Sequence, residues 1–222
     1  TYDSMLNVAL LNNCLQSFGL AFGTAIAIVI AALLLVYFVK WTHLRGFNSF
    51  ARIATIGYVI PGAIIGIGMI SSSQFVINFF DRAFHLDIGH LVYGSSLLLV
   101  YAYIFRFLTV AYHPIEANSL KLGKNLAESA YLLGKNQLKT LWNIELPLLR
   151  TTLTSAFLLV FIETLKELPL TLILKPYNLN TLAVTAYAYA EDERVAKAAI
   201  PALLLVGSVI LVLAFVHAKQ EK

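Results

Sequence analysis

Charge is what this 222-residue sequence has least of for its size. Asp, Glu, Lys and Arg together make up 13% of it, where a water-soluble domain carries about a quarter. Hydrophobic residues reach 59% and the mean hydropathy is +0.77. A water-facing fold cannot hide that much apolar surface, so lipid must be the solvent over much of the chain. Cysteine is nearly missing: Cys14 stands alone, which excludes an internal disulfide and a cysteine-based zinc site. No Gly-x-x-x-x-Gly-Lys-Ser/Thr phosphate loop occurs. Gly123-Lys124 and Gly134-Lys135 are each followed by Asn and lack the upstream glycine, so this chain is not expected to hydrolyse ATP itself. There is no low-complexity tract and no short repeat. No basic n-region leads into a cleavage site, so no signal peptide is expected.

What is present is apolar sequence in long runs. Five segments stand out: about 18–39, 53–80, 88–111, 148–174 and 198–216. Each approaches or exceeds the roughly 20 apolar residues that cross a bilayer as a helix. The second and fourth are long enough to tilt, bend or leave the membrane early. Residues 1–17 mix Asn7, Asn12 and Asn13 with Leu and Val and read as an interfacial lead-in or short amphipathic helix. The expected fold is all-α: an integral membrane bundle of about five transmembrane helices, forming one domain over residues 1–222.

Basic residues orient that bundle. The loop after the first segment holds Lys40, Arg45 and Arg52. The loop after the third holds Lys121, Lys124, Lys135, Lys139 and Arg150, and the C-terminal tail holds Lys219 and Lys222. The opposite side has Arg82, Lys175, Arg194 and Lys197, diluted by Asp3, Asp81, Asp87, Glu191, Asp192 and Glu193. The first set belongs in the cytoplasm, which puts the N-terminus outside and the C-terminus inside. The net charge of +4 is then a property of cytoplasmic loops, and nucleic acid is not an expected partner.

Residues 113–147 form a long polar insert, with Leu122, Leu126, Ala130 and Leu133 at helical spacing. The insert reads Glu128-Ser129-Ala130, three residues, Gly134, nine residues, then Ile144-Glu145-Leu146-Pro147. This resembles the loop signature of ATP-binding-cassette importer permeases at every spacing, with Ser129 in place of the first alanine. The resemblance implies a cytoplasmic coupling helix that seats in a groove of a separate ATPase subunit, rather than an amphipathic hairpin on lipid headgroups. Glu128, Ser129, Ala130, Gly134, Ile144, Leu146 and Pro147 are the residues it assigns to coupling. Gly134 permits a sharp turn between two short helices because it has no Cβ, and Pro147 suits the first turn of the next helix. ATP and Mg would be bound by the partner subunit; no cofactor is expected on this chain.

Other stretches are similar to iron(III)-type permeases of that class: Tyr58 to Gly68 around Pro61-Gly62, Glu163-Thr-Leu-Lys166-Glu167-Leu168-Pro169, and Thr181-Leu-Ala-Val with Asp192-Glu193-Arg194. Such permeases commonly fuse two homologous halves. One signature implies one half, the second. Small residues from Pro61 to Gly68 either let helices pack closely or mark a bent helix lining the translocation path. Glu163, Lys166 and Glu167 share a helical face by spacing. They either snorkel to the outer surface or line the outer mouth of the path. Ferric iron favours oxygen ligands, and Tyr177, Tyr187 and Tyr189 are either transient contacts or interfacial aromatics. No residue is assigned as a metal ligand.

The implied function is passage of ferric iron across a bacterial inner membrane by alternating access. The implied partners are ATPase subunits, an external substrate-binding protein, a second permease half and the bilayer. Thiamine, a polyamine or another small solute is the alternative cargo. A secondary transporter would need midplane coupling-ion sites and internal repeats, and neither is evident.

Overall fold

A computed structural model describes residues 2–42, 45–132 and 134–220. The described residues form helices and turns, with no strand among them. The first helix, α1 (Tyr2–Thr42), is unbroken for 41 residues. The sequence contains no proline before Pro61, so nothing interrupts the backbone ladder. Residues 1–17 are therefore not a separate lead-in: from Tyr2 they belong to the first helix. Their polar side chains have a tertiary use. Asn13 Nδ2 donates to Thr185 Oγ1 at 3.0 Å, Gln16 Oε1 accepts from Asn180 N at 2.8 Å, and Ser17 Oγ accepts from Leu182 N at 2.7 Å.

The second apolar segment is broken. Helix α2 (Arg45–Ala54) leads through a 3-10 turn (Ile56–Val59) to Pro61, and α3 (Gly62–Phe84) starts afresh there. Proline carries no N–H and disfavours helical backbone in the residue before it; Ile60 is extended, at φ −78°, ψ 130°. After a left-handed His85 (φ 53°) come a short α4 (Gly89–Gly94) and α5 (Leu97–Lys121). Helix α5 runs ten residues past its apolar segment, so 113–121 extend a membrane helix rather than open a loop. Then follow α6 (Lys124–Leu132), α7 (Gln137–Thr140), a π turn (Leu141–Glu145) and α8 (Leu146–Leu165). The fourth apolar segment ends its helix at Lys166 and resumes as α9 (Pro169–Leu174). Helices α10 (Leu182–Glu191) and α11 (Val195–Gln220) form the last hairpin.

Helices α1, α5 and α8 make the core. Ala21, Ala25, Ile28, Ala32 and Val36 of α1 meet Leu99, Ala102, Tyr103, Phe107 and Ala111 of α5, and Leu149, Ala156 and Val160 of α8. The alanines bring backbones close where lipid supplies no hydrophobic drive, so contact area must hold the bundle. Around that core α3 packs on α9, and α10 on α11. Five helical stretches among the described residues are long and apolar enough to cross a membrane: Val8–Thr42, Gly62–Phe84, Leu97–Lys121, Gln137–Leu165 and Val195–Ala214.

Candidate functional site

Two helix breaks meet on one ion pair. Pro61 ends the first helical stretch and leaves the Ile60 carbonyl without a helical donor; Arg106 Nη1, from the middle of α5, donates to it at 3.0 Å. The second break, at 166–168, leaves the first N–H groups of α9 without acceptors; Glu167 Oε1 accepts from Leu170 N at 3.1 Å. Arg106 Nε then lies 3.5 Å from Glu167 Oε2, with the two side chains 18% and 9% exposed. Thr171 Oγ1 donates to the Glu167 carbonyl at 2.7 Å and also bonds the Tyr103 hydroxyl. One arginine and one glutamate thus supply both breaks and each other. Irregular backbone inside a membrane protein persists where protein satisfies it or a cavity is lined by it, and buried charges there must be paired.

Glycine makes room for the pair. A Cβ on Gly62 would stand 2.7 Å from Arg106 Nη1 and 2.7 Å from Glu167 Oε1. One on Gly66 would stand 3.0 Å from the Ile173 side chain, whereas one on Gly68 would meet nothing within 4 Å. The small residues after Pro61 therefore serve close packing at Gly62 and Gly66, beside a bent helix. The structure separates the three charges that helical spacing had put together. Glu163, half-buried, pairs with exposed Lys166 at 2.7 Å, while Glu167, beyond the end of α8, turns inward to Arg106. Arg106 is the residue that sequence reasoning missed. Its signal was available, since it is a cation inside a predicted span. Tyr103 and Thr171 gave none.

The polar insert folds as a helix, a turn and a second helix. Gly123 (φ 73°) separates α5 from α6, and Gly134 (φ 77°) separates α6 from the next helical run. Beyond Gly134, Lys135 N donates to the Ala130 carbonyl at 3.1 Å, closing the α6 end. Asn136 caps α7 by accepting from Lys139 N at 2.8 Å. Glu128 and Ser129 are exposed and Ala130 is buried. Leu132 is 90% exposed and Trp142 68% exposed. Leu133 lies outside the described residues. Ile144, Leu146 and Pro147 fall in a continuous helical run from Gln137 to Leu165. Pro147 sits in the first turn of α8, as expected, although no loop precedes that helix. The π turn directly before it widens the ladder, which accommodates a ring that would clash with the carbonyl four residues earlier.

At the same end of the molecule, Lys40 Nζ lies 2.9 and 3.0 Å from the two carboxylate oxygens of Glu145. Among the described residues, no group of three or more His, Cys, Asp or Glu side chains is arranged to hold a metal ion.

No family model matches the chain. It is 27% identical over 157 residues to the ferric transport system permease protein FbpB of Actinobacillus pleuropneumoniae, covering 69% of this chain and 22% of that protein. It is 25% identical over 155 residues to the Fe(3+)-transport system permease protein FbpB 2 of Haemophilus influenzae, covering 70% of this chain and 28% of that protein. The chain thus spans about a quarter of the length of the curated relatives it matches. Its fold superposes on a chain of the MetNI methionine ABC transporter, solved in inward-facing conformations, with a TM-score of 0.69 at 16% identity, over 94% of this chain and 93% of that one. The expected all-α bundle with about five spanning helices is the fold found, and the resemblance to iron(III)-type permeases holds in these relatives. The chain is a multi-pass integral membrane protein that shares the fold of that transporter chain.

Proposed function

We propose that this chain is one permease half of an ATP-driven importer that passes ferric iron across a bacterial inner membrane, with hydrolysis on separate ATPase subunits. The observation that carries the proposal is the helix–Gly134–helix element built on the Glu128…Ala130…Gly134…Ile144…Leu146-Pro147 spacing. It presents exposed Glu128, Ser129, Leu132 and Trp142, a surface suited to the groove of an ATPase partner. The ferric relatives supply the cargo. A second permease half would cover the exposed apolar face of α3, where Ile64, Ile67, Phe75 and Phe79 stand out. An external binding protein would meet the 175–181 turn, whose Tyr177 is fully exposed.

In this mechanism the cation needs no fixed ligand cage on this chain. The Arg106–Glu167 pair closes the path by holding Pro61 and the 166–168 break together. When ATP binding draws the ATPase subunits together, motion of α6 reaches the pair along the continuous run from Gln137 to Leu165, and the two breaks part.

Uptake tests the reading. Membrane vesicles carrying the complex and its binding protein should accumulate ferric iron on addition of ATP, with thiamine and polyamines failing to compete. Gly134→Val should abolish this. The residue needs φ 77°, which costs an ordinary L-residue about 1–2 kcal/mol and a β-branched one more. Its Cβ would meet nothing within 4 Å, so the damage is conformational and local. Membrane abundance should hold while ATPase co-purification falls about tenfold; Gly134→Asn, which tolerates left-handed backbone, should retain most of it. Normal attachment and uptake in Gly134→Val would defeat the coupling assignment.

Orientation is testable in a Cys14→Ser background. Single cysteines at positions 136 and 139 should be shielded from an impermeant thiol reagent in intact cells, while one at position 177 reacts. Labelling of 139 from outside would invert the map.

A further inference from the structure

The Lys40–Glu145 ion pair joins parts of the chain 105 residues apart. Glu145 is the last residue of the π turn, and its side chain is 6% exposed against 29% for Lys40. Both carboxylate oxygens are engaged by Lys40 Nζ, at 2.9 and 3.0 Å. The ammonium sits in the last turn of α1, where the helix dipole favours a cation, and 5.2 Å from the Tyr37 ring centroid. Packing alone does not call for such a pair, since a buried ion pair roughly breaks even against apolar side chains of the same volume.

Its position along the chain suggests its use. The helical run from Gln137 to Leu165 has the Gly134 elbow at one end and the Glu167 break at the other. Glu145 lies roughly 12 Å from the elbow end and roughly 30 Å from the far end, at about 1.5 Å per residue. The anchor point coincides with a π turn, where a helical ladder is already loosened. Lys40 fixes this point to α1, the helix that supplies one side of the core.

We propose that the Lys40–Glu145 pair is the anchor of the helical run that follows the coupling helix. It pins the run from Gln137 to Leu165 to α1 at the π turn, so that a displacement at Gly134 is passed along that run, packed on α1 and α5, to the Arg106–Glu167 pair. Lys40 and Glu145 are positioning residues; neither touches nucleotide or cargo. The proposal rests on the importer reading given above.

The test uses the complete complex, reconstituted with its ATPase subunits and binding protein. Lys40→Met and Glu145→Gln should each leave ATPase co-purification within about twofold of wild type, while the ATP hydrolysed per ferric ion taken up rises about tenfold, the scale of one lost charge-assisted bond. The exchanged pair, Lys40→Glu with Glu145→Lys, should bring that ratio back to within about threefold of wild type. An unchanged ratio in the single variants would overturn the anchor. So would an exchanged pair as uncoupled as the singles, or loss of ATPase attachment in step with uptake. Where the singles do not accumulate in the membrane, Lys40→Arg and Glu145→Asp, which keep charge and alter reach, are judged by the same ratio. A wild-type chain that binds no ATPase subunit would instead overturn the importer reading.

Discussion

Gly57→Ala should disrupt the membrane core more than any other single methyl group added to it. Gly57 lies in the 3-10 turn before Pro61 and is buried. An ideal Cβ there would stand 2.1 Å from the Phe105 carbonyl oxygen and 2.9 Å from its carbon. Both are backbone atoms of α5, so no rotamer change relieves the clash; the turn and the helix must move apart. That movement strains the Thr109 hydroxyl bond to the Thr55 carbonyl and the Arg106 bond to Ile60, which tie the same turn to α5. Overpacking of this kind costs about 1–3 kcal/mol and at times more, and a backbone clash belongs at the upper end. The apparent melting temperature of the purified protein in detergent should drop by roughly 6–12 °C. Gly68→Ala is the control, because a Cβ there meets nothing within 4 Å. A melting temperature for Gly57→Ala equal to that of Gly68→Ala would show that the turn does not pack on α5 as described.

Arg106→Met should be comparably damaging for an electrostatic reason. Removing the guanidinium leaves the Glu167 carboxylate buried without its counter-charge and the Ile60 carbonyl without its donor. Breaking one side of a buried pair costs about 3–5 kcal/mol, whereas replacing both sides is often close to neutral. Glu167→Gln alone should be milder, since an amide oxygen still accepts from Leu170 N. The double variant Arg106→Met/Glu167→Gln should then recover about 2 kcal/mol relative to the sum of the singles. A thermal double-mutant cycle in detergent measures this, with Glu163→Gln as comparison. Glu163 is itself half-buried, but its partner Lys166 is exposed and can turn to solvent, so loss of Glu163 should cost no more than about 1 kcal/mol. Additive losses at Arg106 and Glu167 would mean that the two charges are independently solvated. The stable double variant also isolates transport: if the pair closes the path, it should fold and yet leak or fail to take up iron.

The membrane character and the glycine-hinged polar insert were legible in the sequence because both depend on local composition. An apolar run of about 20 residues has few stable fates besides a spanning helix, and five such runs became five spanning helical stretches. A glycine between two short amphipathic stretches needs no tertiary partner to make a turn, and Gly134 has the left-handed backbone that such a turn requires. The extents of the elements were less legible. The Asn-rich start looked like a lead-in because its polar side chains have no visible partners in the local sequence; their partners are Asn178, Asn180, Leu182 and Thr185. Pro147 reads as a first-turn residue of the next membrane helix, and in α8 it is one; the π turn that joins that helix to α7 without a loop has no local sign.

Sequence by itself determined that the chain lives in lipid, that it is helical, and that it carries a glycine-hinged polar insert with importer-permease spacing. These follow from hydropathy, period and backbone freedom, which each stretch of chain carries within itself. Only the tertiary structure decided which charges meet. Helical spacing grouped Glu163, Lys166 and Glu167, but the helix ends at Leu165, between the first and second, and the break turns Glu167 toward an arginine 61 residues earlier. Lys40 and Glu145 likewise meet across 105 residues. A buried charge takes whichever opposite charge the packed helices bring within reach, because leaving it unpaired at low dielectric costs more than any local preference supplies.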